Sequence, residues 1–148
     1  GLDKNALILY NDSKNGFGDR ICEDLKAKGK SVYQISGSTN AKLREKYIEE
    51  FEASDGAYMV ASYGTFAAGI DTKNLYHMIF AESFKSEDRI VQAIGRLLRN
   101  FSGKHEVEVI DVVHMLYTHT VNQYEVRKKD MYLDQNYPVV EEVMLFEV

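Results

Sequence analysis

Cysteine and proline are almost absent from this chain. Cys22 and Pro138 are the sole representatives of each in 148 residues, and there is no tryptophan. One thiol closes no internal disulfide and furnishes no cysteine-based metal site; Cys22 is expected to be a buried thiol on a helix. No low-complexity linker or internal repeat interrupts the sequence, so residues 1–148 read as a single domain with enough chain for its own core. There is no run of the ~18 apolar residues that a membrane helix needs. The start, GLDKNALILY, lacks the charged, apolar and cleavage-site order of a secretory leader. A reducing, cytoplasmic setting is the expectation. Positive charge is also short: 18 Lys and Arg face 23 Asp and Glu, for a net charge of -5. A chain of that sign does not coat nucleic acid by bulk attraction. Any contact with phosphate must be local, made by a few donors in a groove.

What the chain does have is alternation. Short apolar runs, ALILY (Ala6 to Tyr10), SVYQI (Ser31 to Ile35), AYMVAS (Ala57 to Ser62), YHMIFA (Tyr76 to Ala81) and VEVIDVV (Val107 to Val113), are separated by helical patterns. Phe17, Ile21 and Leu25 mark a helix that stops at Gly29, and Leu43, Tyr47, Ile48 and Phe51 share one side of another. A polar helix is expected from about His114 to Tyr132, and EEVMLFEV is expected to close the chain as a last strand. Strand-helix alternation with strands apolar on both sides predicts an α/β three-layer sandwich, a mostly parallel, doubly wound sheet with helices on both faces. Ligands of such sheets gather beyond the carboxyl ends of the strands. That edge is expected to comprise NDSKNG, SGSTN, SYGTFAAGID and ESFKSED.

Several chemistries fail on spacing. GKS at Gly29 to Ser31 has the tail of a P-loop, but Asp24 stands where the first glycine belongs and a strand follows where a helix should. GFGDRI has Ile21 in place of the third glycine of a dinucleotide fingerprint. The four histidines lack metal spacing, and His77 inside a strand reads as a packed or edge residue. In SGSTN, Gly37 and Ser38 precede the capping residues Thr39 and Asn40, and Arg44 lies one turn into the helix. A helix N-terminus with free N–H groups holds phosphate readily, although a plain capped helix has the same sequence. In SYGTFAAGID, Ser62, Gly64, Thr65, Gly69 and Asp71 follow the third strand, where an Asp-bearing turn is the bland alternative.

The sharpest pattern is SEDRIVQAIGRLLRN, Ser86 to Asn100. At about 100° per residue, Ile90, Val91, Ile94, Leu97 and Leu98 share one side, whereas Arg89, Gln92, Arg96 and Arg99 share the other. Gly95 costs such a helix about 1 kcal/mol relative to alanine. The polar stripe holds donors and no carboxylate after Asp88, and guanidinium forks suit phosphate.

In order, ISGSTNAKLR, ASYGTFAAGID and QAIGRLLR resemble motifs IVa, V and VI of superfamily-two helicases, in their second RecA-like domain, and the resemblance covers nearly the whole chain. Within that superfamily the chain is similar to the recombination DNA helicases of T-even phages. The resemblance implies a RecA-like fold and an ATP-hydrolysing motor acting on branched DNA and R-loops. Arg96 and Arg99 are then the catalytic residues, at least one an arginine finger. Gln92, Gly69 and Asp71 line the nucleotide, and Gly37, Ser38, Arg44, Ser62 and Thr65 hold a nucleic-acid backbone. ATP with magnesium is expected to be held mainly by an N-terminal RecA-like domain, since this sequence contains neither a P-loop nor a D-E-x-D/H motif. Gly1 would fall near the linker to that partner domain, and the 148 residues alone are expected to be inactive. An RNA motor of the same superfamily and a non-catalytic doubly wound module for a phosphorylated ligand remain open at this level.

Overall fold

The structure is a computed structural model and describes residues 3–11, 16–82, 95 and 107–145. Among them, five strands form one sheet: β1 (Ala6–Tyr10), β2 (Val32–Ile35), β3 (Tyr58–Ser62), β4 (His77–Phe80) and β5 (Glu108–Asp111). Their spatial order is β2-β3-β1-β4-β5, and every pairing is parallel. The expected "mostly parallel" sheet is thus wholly parallel among the described strands. All five residues of β1 and all five of β3 are buried. That is the physical reason their sequences show apolar runs rather than alternation.

Successive residues of β1 point to opposite faces, and each face has its own core. Leu7 and Leu9 join Ile35, Phe51, Met59, Phe66, Met78, Phe80 and Met131 on one side. Ala6, Ile8 and Tyr10 join Cys22, Tyr58 and Val60 on the other. Helix α1 (Phe17–Ala27) covers the second face and is ended by Gly29, whose φ of 75° suits glycine. Its Gly18 lies so close to β1 that an added Cβ would sit 2.3 Å from the ring of Tyr10. Helix α2 (Ala41–Glu52) covers the first face with Phe51, and Asn40 caps it by accepting from the Leu43 N–H at 2.8 Å.

Buried Asn5 ties three elements together at the amino ends of the strands. Its Nδ2 donates to the Phe51 carbonyl at 2.7 Å, its Oδ1 accepts from the Ala57 N–H at 2.9 Å, and its carbonyl accepts from the N–H groups of Tyr76 and His77. His77, read from the sequence as a packed or edge residue, opens the interior strand β4 and is half-buried, its Nδ1 lying 3.2 Å from Glu108 in the adjacent strand.

Three expectations are corrected. SYGTFAAGID is not a strand-end loop: it opens as a short helix, α3 (Tyr63–Ala67). The helix expected from His114 starts later, as α4 (Thr118–Arg127), and runs straight into a π-helical turn, Lys128–Leu133. EEVMLFEV forms no strand over its described residues 141–145, where Val143, Met144 and Leu145 are 71%, 69% and 93% exposed.

Candidate nucleic-acid interface

Because the strands are parallel, the chain leaves all of them at one edge, and the sequence-predicted backbone contacts gather there. After β2 the residues Ser36 to Thr39 form a tight turn: the Thr39 N–H donates to the Ser36 carbonyl at 3.1 Å, and Thr39 Oγ1 accepts from the Ser36 N–H at 3.0 Å. Gly37 and Ser38 are exposed at its tip. The Asn40 cap takes the Leu43 N–H, and helix geometry leaves the N–H groups of Ala41 and Lys42 without an intrahelical acceptor. Arg44, one turn in, sets Nη2 3.5 Å from the Ser36 carbonyl, and its buried Nε has no hydrogen-bond partner. A guanidinium held beside an open helix N-terminus is arranged to receive an anion.

Ser62 and Thr65 sit at the end of β3 but are buried, 3% and 8% exposed. Ser62 Oγ caps α3 by accepting from the Thr65 N–H at 3.1 Å and donates to Thr65 Oγ1 at 2.9 Å. As they stand, the two hydroxyls serve each other and fix the start of α3, while Gly64 next to them is exposed, with nothing within 4 Å of an added Cβ.

Gly69 and Asp71 lie elsewhere. α3 carries the chain back from the strand ends, and two residues past Asp71 the Lys73 N–H donates to Glu52 at the far end of α2. The two residues therefore do not join the rim of Gly37, Ser38 and Arg44, contrary to the single edge expected from sequence. Gly69 has a φ of 126° and open space around it, so the backbone conformation, not crowding, calls for glycine. Asp71 is exposed. Gln92, Arg96 and Arg99 lie outside the described residues; of residues 83–106 only Gly95 is described, in helical conformation. Among the described residues no group of three or more His, Cys, Asp or Glu could hold a metal ion. No helix among them is long and apolar enough to cross a membrane.

Sequence reasoning missed a cluster at the same strand ends. Tyr63, the first residue of α3, donates its hydroxyl to the Glu82 carbonyl, and the Glu82 carboxylate accepts from the Asn11 N–H at 2.7 Å. Alongside, Arg127, fully buried, grips Asp111 with both ends of its fork, Nε to Oδ2 at 2.9 Å and Nη2 to Oδ1 at 2.8 Å. Tyr132 donates to the same Oδ2 at 2.6 Å. Burial works against the Arg127 charge, but the hydrogen bonds and charge of Asp111 outweigh it, and its pKa is raised. Burial first, then the Asp111 charge, pushes the phenols of Tyr63 and Tyr132 well above their ordinary value. Arg127 and Tyr132 are five residues apart, which on a regular α-helix puts side chains about 140° apart. The π turn, with its i to i+5 period, brings both to one carboxylate.

Comparison with known families matches residues 2–101 to the helicase conserved C-terminal domain. The chain belongs to that family. This helicase C-terminal domain is 33% identical over 111 residues to the ATP-dependent DNA helicase UvsW of Enterobacteria phage T4. The match takes in 75% of the chain and 22% of UvsW, so the domain spans about a fifth of that relative. The crystal structure of T4 UvsW superimposes with a TM-score of 0.66 at 27% identity, covering 87% of this domain and 29% of that chain. The Escherichia coli DEAD-box protein SrmB shares the fold alone, with a TM-score of 0.69 at 18% identity over 95% of this domain and 75% of that chain. The RecA-like helicase fold expected from the motifs is the one observed.

Proposed function

We propose that the domain is the C-terminal half of an ATP-dependent DNA helicase that unwinds or remodels branched DNA and R-loops during recombination and replication, in the host cytoplasm if phage-encoded. The observation that carries the DNA-gripping part is the placement of Arg44 beside the open first turn of α2, at the edge where Gly37 and Ser38 are exposed. Similarity to a T4 helicase whose name specifies ATP and DNA supports the motor part. Backbone N–H groups and a guanidinium read phosphate and carry no sequence information, so binding is sequence-independent. The cap formed by Ser62 and Thr65 sets the direction of α3 at the same edge.

ATP, held mainly with its magnesium by an N-terminal P-loop domain, supplies the free energy that alternately closes and opens the two domains. Arg96 and Arg99 hold phosphate oxygens and stabilise the charge that develops on them. Gln92 orients their helix, Asp71 accepts from a ribose hydroxyl, and Gly69 lets the backbone turn there. Hydrolysis by the protein that unites this domain with its P-loop partner tests the assignment. Arg99→Ala should lower DNA-stimulated turnover about 10³-fold or more while nucleotide and DNA binding persist. Turnover by the 148 residues alone, abolished by the same substitution, refutes the division of labour. Stronger stimulation by RNA than by branched DNA refutes the substrate.

A further inference from the structure

Beyond Asp111 the chain runs out past the sheet before α4 turns it back. Thr118 opens α4, and Arg127, nine residues later, is the one that reaches Asp111. Nine residues of helix span about 14 Å, and the three steps from Asp111 to His114 reach about 10 Å at most. The turn between them therefore stands past the end of β5, within about 10 Å of Asp111 at His114. It is held in shape: Thr120 Oγ1 donates to the carbonyls of His114 and Tyr117, and the Tyr117 N–H donates to the His114 carbonyl at 3.4 Å.

On this braced turn Met115, Leu116 and Tyr117 are 68%, 90% and 57% exposed. The rings of Tyr117 and His119 pair at 5.8 Å with 41° between their planes. No Asp or Glu occurs from Val112 to Tyr124, in a chain with 23 of them. With strands about 4.8 Å apart, β3 and β5 end about 14 Å from one another and β2 and β5 about 19 Å. The turn shares the edge that carries Gly37, Ser38 and Arg44 and offers ring faces and alkyl groups where they offer donors. A protein partner would need about 800 Å² from this side, more than a narrow turn presents.

We propose that the His114–His119 turn is a base-stacking site for the unpaired strand whose phosphates Arg44 and the first turn of α2 hold. Tyr117 and His119 supply the stacking faces, and Met115 and Leu116 form an apolar wedge that no base pair can bridge. This rests on the proposed nucleic-acid edge. The test is binding of a fluorescein-labelled oligodeoxythymidylate and of a blunt duplex by the complete protein. Tyr117→Ala should weaken single-strand binding about tenfold without changing its salt dependence, because no phosphate contact is lost. Tyr117→Phe should restore it, and duplex binding should not move. Arg44→Ala should weaken binding to both and lower the salt slope by about one. Unchanged single-strand binding by Tyr117→Ala and by Leu116→Ser overturns the inference, and leaves the edge standing if Arg44→Ala still weakens binding. If Arg44→Ala is also silent, the edge itself falls and the stacking site with it. A change in sedimentation on Tyr117→Ala with DNA binding intact makes the turn a protein contact and overturns the proposal.

Discussion

Replacing Arg127 with methionine keeps the bulk of the side chain and removes the fork that holds Asp111, whose own side chain is 7% exposed. The carboxylate would be left with the Tyr132 hydroxyl as its remaining partner in this cluster. Breaking one side of a buried pair costs about 3–5 kcal/mol, because the other charge stays out of water. Against a total stability of roughly 5–15 kcal/mol that is a large share. At about 2–4 °C per kcal/mol for a chain of this size, the melting temperature should fall on the order of 10 °C. Arg127→Met combined with Asp111→Leu removes both charges and leaves mainly the Tyr132 hydroxyl without its acceptor, a cost of about 1–3 kcal/mol. The double variant should therefore be more stable than the single one. Urea unfolding followed by circular dichroism gives both numbers. A single variant within about 1 kcal/mol of the parent, or a double variant no better than the single, refutes the reasoning.

Gly18→Ala puts a methyl group into the ring of Tyr10, which is 8% exposed and must shift within the core to make room. A loss of about 1–3 kcal/mol is expected, partly recovered by Tyr10→Leu in the same chain; no loss would mean that α1 shifts freely. Asn5→Leu deprives the Phe51 carbonyl and the Ala57 N–H of their partners, each worth about 1–3 kcal/mol when left unpaired and buried, so the urea midpoint should drop with the slope unchanged. Burial pushes the Cys22 thiol up to about 11. The unfolded thiol ionises first, near its ordinary value of about 8.5. Its contribution is therefore whole below that pH and is lost as the pH rises towards 11. This limb should amount to roughly 1–3 kcal/mol and flatten in Cys22→Ala; a pH profile identical in the two proteins rejects it.

The strands were legible because burial on both sides leaves short apolar runs in the sequence. β1 and β3 match ALILY and AYMVAS almost residue for residue. The capped start of α2 was legible for the same kind of local reason, a Thr-Asn pair before a periodic segment. α3 was not, since five residues beginning YGT carry too little periodicity to show a helix, and the consequence was to place Asp71 with the rim. Arg127 was hidden by its own chemistry: an arginine is read as surface until a buried carboxylate is found opposite it. Nothing local says which carboxylate that is, because Asp111 comes from another element. The misread EEVMLFEV shows the converse, as its residues have the composition of a strand and the described part stays exposed. Of the candidate site, Gly37, Ser38 and Arg44 fall together at one strand end, whereas Ser62 and Thr65 face each other.

The π turn at Lys128–Leu133 accommodates one residue more than an α-helical path of the same length would. Its length is therefore a constraint of a kind that substitutions do not probe. Inserting a residue between Arg127 and Tyr132 would put them six apart, more than the π turn absorbs, swing the tyrosine hydroxyl away from its carboxylate and rotate everything downstream by about a quarter turn. Deleting one instead lets the segment close as an ordinary α-helix, with the two side chains four apart and still only about 40° from one another. After the insertion Tyr137 and Val139, which pack against the core beyond the turn, would point outward. Conservative replacements within this segment, and a one-residue deletion, should be tolerated far better than an insertion.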